Sequence, residues 1–150
     1  MDRMAYSYRD DPAVPPFPDD HPIVIFDGVC VMCSAFARFI LRADRRARFR
    51  LMAAQSASGQ ALYAHYGLAT VNYATYVLLA DGVAAFRSDA TLRIFGILGF
   101  PWSLALAFRL VPAAWRDRFY DFIARNRLRW FGTRDACFIP APAQRERFLD

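Results

Sequence analysis

Cys30 and Cys33 stand three positions apart, directly after the pair Asp27-Gly28. Two thiols at that spacing can close a disulfide with each other. At the start of a helix the free backbone N–H groups and the helix dipole favour an anion, and a thiolate is one. A cysteine placed there titrates below its ordinary value of about 8.5. The outer thiolate, Cys30, can then attack a substrate disulfide, and the inner thiol, Cys33, can release the mixed disulfide. The same spacing is also half of a zinc site, and it occurs in cysteines that only pack. The surrounding elements have to separate these uses.

The run Ile23-Val24-Ile25-Phe26 is short, β-branched and aromatic, and it stops at Asp27-Gly28. It reads as a buried strand followed by a turn. From Cys30 onward the period becomes helical: Cys33, Phe36, Ala37, Ile40 and Leu41 share one face, with Arg38 and Arg42 off it. Cys30 is therefore expected at a helix N-terminus and Cys33 one turn further in. Asp27 has two available roles, as a proton relay for Cys33 or as a residue that shapes the turn. A carboxylate beside a thiolate opposes the effect of the helix start.

Further along, residues 49–54 read as a second strand, parallel to the first because a helix connects them. Residues 56–66 read as a short helix ending at Gly67. Residues 75–80 and 83–86 read as two strands joined by the hairpin signal Asp81-Gly82. A helix capped at Ser88 or Asp89 follows. Residues 94–108 carry no charge, Arg93 and Arg109 flank them, and Gly96, Gly99 and Pro101 interrupt them. The segment is shorter than the roughly 20 residues of a membrane span. It is expected to be a buried helical hairpin, with a membrane-surface or partner patch as the alternative. After Pro112 a last long helix carries Trp115, Phe119, Phe122, Ile123, Asn126 and Trp130 as its apolar stripe. Asn126 either holds a loop or lines a site. Residues 1–20 hold five aspartates and four prolines without apolar periodicity, and read as a flexible tail before a domain over residues 21–150.

Composition narrows the function. The chain has 150 residues, 56% of them hydrophobic, enough for one domain with a core. Three cysteines cannot make an even disulfide framework, which fits a reducing compartment such as the cytoplasm. The net charge of +5 comes entirely from arginine, since the chain has no lysine. Outside residues 42–50 and 125–134 the arginines are dispersed, which does not point to nucleic acid. No phosphate loop, nucleophile elbow or catalytic carboxylate pair is present, so neither a cofactor nor a metal is expected. His21 and His65 have no spacing that would complete a metal site with the cysteines, and Cys137 is expected to be a buried bystander.

The order of elements is that of a thioredoxin-like fold. The stretches Phe26-Asp27-Gly28-Val29-Cys30-Val31-Met32-Cys33 and Tyr120-Asp121-Phe122-Ile123-Ala124-Arg125-Asn126-Arg127-Leu128-Arg129-Trp130-Phe131-Gly132 narrow it. Together they resemble the DCC family of thiol-disulfide oxidoreductases, from about residue 22 onward. The resemblance implies an α/β, thioredoxin-like domain: a small mixed four-stranded sheet with an N-terminal βαβ unit, a β-hairpin and additional C-terminal helices. It implies disulfide reduction through Cys30 and Cys33. The substrate would be a disulfide-containing protein or a small thiol compound, with a cellular thiol as reductant. Thioredoxins carry a cis-proline before the third strand, and residues 70–75 contain no proline, which favours a narrower substrate. The alternative is a non-catalytic module of the same fold that binds a partner or a membrane surface through residues 94–108 or the arginine-rich end of the last helix. A metal-binding protein is the weaker alternative.

Overall fold

The computed structural model describes residues 6–68, 76–132 and 147–149. Its centre is β1 (Ile23–Phe26), every residue of which is buried. A helix, α1 (Val31–Ala43), crosses over to β2 (Arg50–Ala53), which lies parallel to β1 with Ile23 opposite Arg50 and Phe26 opposite Ala53. After α2 (Ala57–His65) the chain returns as β3 (Val77–Ala80), antiparallel to β1, and turns into β4 (Val83–Phe86). Asp81 and Gly82, with φ of 51° and 77°, make that turn. Positive φ at both positions matches the right-handed twist of the strands it joins. The remaining helices are α3 (Arg87–Leu98) and α4 (Ala113–Phe131). The sheet has five strands where four were expected: β5 (Phe148–Leu149) pairs in parallel with β2 at the edge. The order is β4-β3-β1-β2-β5. Two residues near the C-terminus are too few for a periodic signal, so sequence pattern could not show this strand.

The pleat sends alternate residues to opposite faces, and both faces are covered. Val24, Phe26, Leu51 and Leu78 pack with Ala37, Ile40 and Leu41 of α1 and Ala90 and Ile94 of α3. Ile23, Ile25, Met52, Val77 and Leu79 pack with Leu62 and Tyr63 of α2 and with Tyr8. Each large aliphatic side chain fully buried this way contributes roughly 1.5–3 kcal/mol. Residues 6–20 contribute to this second face: Tyr8 is buried, its hydroxyl donates to Asp19, and its ring stacks on Phe17.

Two polar devices fix where helices stop and start. The Ser56 hydroxyl accepts from Gly59 N at 3.0 Å and caps α2. Asp44, just past α1, accepts from Arg48 N at 3.1 Å and Phe49 N at 2.7 Å, and its carboxylate is paired with Arg147. Arg147 also donates to the Leu41 carbonyl, so the segment entering β5 is tied to the end of α1.

Residues 94–108 do not form a buried hairpin. α3 ends at Leu98, Gly99 takes φ of 83°, the Phe100–Pro101 peptide is cis, and Trp102–Leu110 winds as a 3₁₀ helix. Three residues per turn align side chains at i and i+3, which splits an unbroken apolar run between an inner and an outer side. Leu106 lies over Gly96, while Leu104 (65%), Phe108 (62%) and Leu110 (90%) remain exposed. The expected stripe of α4 is likewise mostly outside, with Trp115, Phe119, Phe122 and Trp130 each about half exposed or more.

Candidate functional site

β1 ends by pointing the chain at the site. Asp27 follows the strand, and its Oδ1 accepts from Val29 N at 3.1 Å, forming the turn before the helix. Cys30 takes an extended backbone and is the N-cap of α1. Its sulfur accepts from Cys33 N at 3.4 Å, so a thiol holds the place that serine or aspartate usually holds. Ser34 donates from its hydroxyl to the Gly28 carbonyl at 3.3 Å, locking the turn onto the helix. The two cysteines are both free thiols, as the sequence placed them, at the helix start and one turn in.

Their protons are unequally held. Cys30 is pushed down to about 5, first because Cys33 donates its S–H to it, then through the Cys33 backbone N–H and Arg127, against the cost of burial. Cys33 is pushed up, because it is the donor in that hydrogen bond, because it is buried, and because the Cys30 charge lies beside it. Both shifts favour a thiolate on Cys30 with the remaining proton on Cys33.

The cation beside the pair comes from α4, 94 residues after Cys33. Arg127 is 2% exposed; its Nη1 donates to Asp27 Oδ2 at 3.0 Å and lies 4.0 Å from Cys33 Sγ. Gln55, from the loop after β2, completes the shell. Its Nε2 donates to Asp27 Oδ1 at 2.6 Å and its Oε1 accepts from Gly28 N at 3.0 Å. Both Asp27 oxygens are thus engaged. Asp27 shapes the turn, as one of its two expected roles required, and it also anchors Arg127.

Sequence reasoning singled out Asn126 and passed over Arg127. Asn126 bonds back to the Phe122 carbonyl of its own helix at 2.7 Å and, among the described residues, neither holds a loop nor lines the site. Arg127, its neighbour in the second motif, is the residue turned inward. A buried acid selects the helix face that brings it a cation, and a hydropathy stripe does not register that demand. The available signal was the motif itself, which pairs Asn with Arg. The inward face carries Arg116, Tyr120, Ile123 and Arg127, at helical spacing, so of the expected stripe only Phe119 and Ile123 reach the site.

A cavity of about 420 Å³ opens beside the pair, between α1, α3 and α4. Cys33, Asp27 and Arg127 line it together with Phe36, Tyr76 and Tyr120. Cys30 does not reach it and is completely covered, whereas Cys33 is 8% exposed. Just past α4, the Gly132 carbonyl accepts from Val31 N, the residue after Cys30, at 3.3 Å. Cys30 is therefore the inner sulfur with respect to solvent, contrary to the sequence expectation. Tyr76 N donates to the Tyr120 hydroxyl at 3.3 Å and closes one wall.

His65 bonds Asp11 and Ser7, and His21 pairs with Asp20, so each histidine has partners away from the cysteines. Among the described residues no cluster of three or more His, Cys, Asp or Glu side chains could hold a metal ion. No helix among them is long and apolar enough to cross a membrane. Cys137, residues 70–75 and residues 133–134 lie outside the described residues.

A mixed α/β sheet, a βαβ unit and a Cys-x-x-Cys pair at the helix start define a thioredoxin-like domain. The chain belongs to the DCC1-like thiol-disulfide oxidoreductase family, whose model matches residues 24–133. It is 37% identical over 127 residues to the uncharacterized protein YuxK of Bacillus subtilis (strain 168), covering 85% of this chain and 93% of that one. It is 33% identical over 120 residues to a chloroplastic DCC family protein of Arabidopsis thaliana, covering 79% and 70%. No solved structure matches significantly.

Proposed function

We propose that the protein is a thiol-disulfide oxidoreductase in which Cys30 is the nucleophile and Cys33 the resolving thiol. The observation that carries this reading is the placement of the pair: Cys30 caps α1 with its sulfur accepting from Cys33 N at 3.4 Å, and Arg127 Nη1 lies 4.0 Å from Cys33 Sγ, an arrangement that pulls the Cys30 thiol down. Structural cysteines have no need of a stabilised thiolate, and burial alone would suppress it. Attack by Cys30 breaks the substrate S–S bond and leaves a mixed disulfide. Cys33 gives up its proton to the departing thiolate and attacks Cys30 Sγ, so the second thiol leaves and the Cys30–Cys33 disulfide forms. A cellular dithiol then reduces the pair. Asp27 is a positioning residue, because it touches Arg127 and the turn. The substrate is a disulfide-bearing protein or a small disulfide, and the working compartment is reducing, such as the cytoplasm.

Trapping tests the assignment. Cys33→Ser should accumulate a mixed disulfide on Cys30, seen by mass spectrometry, and Cys30→Ser should lose turnover. A reduced Cys33→Ser protein that captures no disulfide substrate would remove the redox reading. A second reading has its own observation, the exposed apolar residues Leu104, Phe108 and Leu110 beside Arg109. On that reading the domain docks on a partner or membrane surface through Trp102–Leu110. Both serine variants would then keep full binding to anionic vesicles or partner, and turnover would be absent from the parent protein.

A further inference from the structure

The cavity beside the cysteines contains a charge that nothing in the pair's chemistry uses. Arg116, in the first turn of α4, lines it. Its Nε donates to the Val111 carbonyl at 3.1 Å, but its Nη1 is buried with no hydrogen-bond partner among the described residues. Two acids on the neighbouring elements are engaged by other groups: Asp27 holds Arg127, and the Asp117 carboxylate accepts from Ser88 at 2.6 Å. A buried guanidinium N–H without an acceptor is costly, and it suits an anion that arrives with a ligand. Around it the walls are rings, among them Phe36, Tyr76, Phe108 and Phe119. A volume of about 420 Å³ lies within the range of small-molecule sites.

We propose that this cavity is the substrate site, and that its ligand is a small organic disulfide with an aromatic body and a carboxylate that pairs with Arg116. This rests on the thiol-disulfide reading and narrows it to one substrate class. The ring packs among the aromatic walls, and the reacting sulfur sits on the cavity floor against Cys33. The reaction requires the Cys33 side chain to turn aside so that the ligand sulfur reaches Cys30, where the Cys33 backbone N–H and Arg127 still favour the thiolate. The Cys30 thiolate attacks the ligand sulfur and the ligand S–S bond breaks. The first half leaves as a thiolate and takes the Cys33 proton. Cys33 then attacks the mixed disulfide, and the second half leaves and takes a proton from water. Two electrons have passed from the pair to the ligand, and a dithiol reductant restores the pair.

Two aryl disulfides test the assignment on the full-length reduced protein. Dithiobis(nitrobenzoate) carries carboxylates and dithiodipyridine is neutral, and each releases a coloured thiol. Arg116→Gln should slow reaction with the anionic probe about tenfold, the scale of one lost charge-assisted contact, and leave the neutral probe within about twofold. Arg118→Gln, exposed on the same helix, should change neither by more than about twofold, which separates pairing from long-range attraction. The neutral probe also reports whether Arg116→Gln has kept the fold. An Arg116→Gln protein that slows both probes alike, or neither, overturns the carboxylate site and leaves the thiol chemistry standing. A parent protein whose Cys30 and Cys33 react with neither probe overturns the thiol-disulfide reading itself.

Discussion

Arg127 is the residue whose replacement should report most about this site. Its side chain is 2% exposed and that of Asp27 5%, and they meet at 3.0 Å. Arg127→Met keeps much of the volume and removes the charge. It leaves the Asp27 carboxylate buried beside a thiolate with no cation, and breaking a buried pair in this way costs roughly 3–5 kcal/mol. Asp27→Asn should cost a similar amount, because it strands the guanidinium. The double replacement should recover most of the loss, since removing both charges of a buried pair is often close to neutral. Chemical denaturation of the four proteins gives the coupling, expected at roughly 3 kcal/mol. The same replacement should raise the Cys30 titration above its present value of about 5, but only part of the way toward the ordinary value. Arg127 stands behind the Cys33 thiol and the Cys33 backbone N–H among the groups that lower it. The pH profile of Cys30 alkylation measures that shift. Additive single effects, within about 0.5 kcal/mol, together with an unmoved alkylation midpoint, would show that Arg127 only fills space.

Stability of the reduced protein should pass through a maximum with pH. Between about 5 and about 8.5 the unfolded chain binds two protons on this pair and the folded one binds one, so stability rises with pH; above about 8.5 the unfolded thiols ionise while Cys33 stays protonated, so it falls. Cys30→Ser should flatten the rising limb in denaturation curves taken across that range, and an unchanged limb would mean that Cys30 carries no thiolate. Asp44→Ala should destabilise by roughly 3–5 kcal/mol in the same assay, because it frees Arg48 N and Phe49 N and strands a partly buried Arg147. A loss below about 1 kcal/mol would show that the turn holds without the carboxylate.

What the sequence disclosed and what it withheld follow from the range of the forces involved. Periodicity is local, so β1, the cysteine helix and the Asp81-Gly82 hairpin were legible within a few residues each. So was the placement of Cys30 as a helix cap, since a cap depends only on the turn that follows it. The identity of the buried face of α4 was not legible, because it is settled 100 residues away by Asp27. Hydropathy ranks Trp115 and Phe119 as core and Arg127 as surface, and both rankings invert when one buried carboxylate requires a cation. The inversion leaves apolar side chains on the outside of α4 and an arginine against two thiols. The same helix bears on the two sulfurs: Gly132, just past its end, is bonded to Val31 at the N-terminus of α1, next to the fully buried Cys30. On the proposed reading a Cys30 thiolate is shielded from bulk solvent and meets a ligand only once Cys33 is displaced. α4 thus bears on both reactivity and access, and a change that loosens it should alter both together.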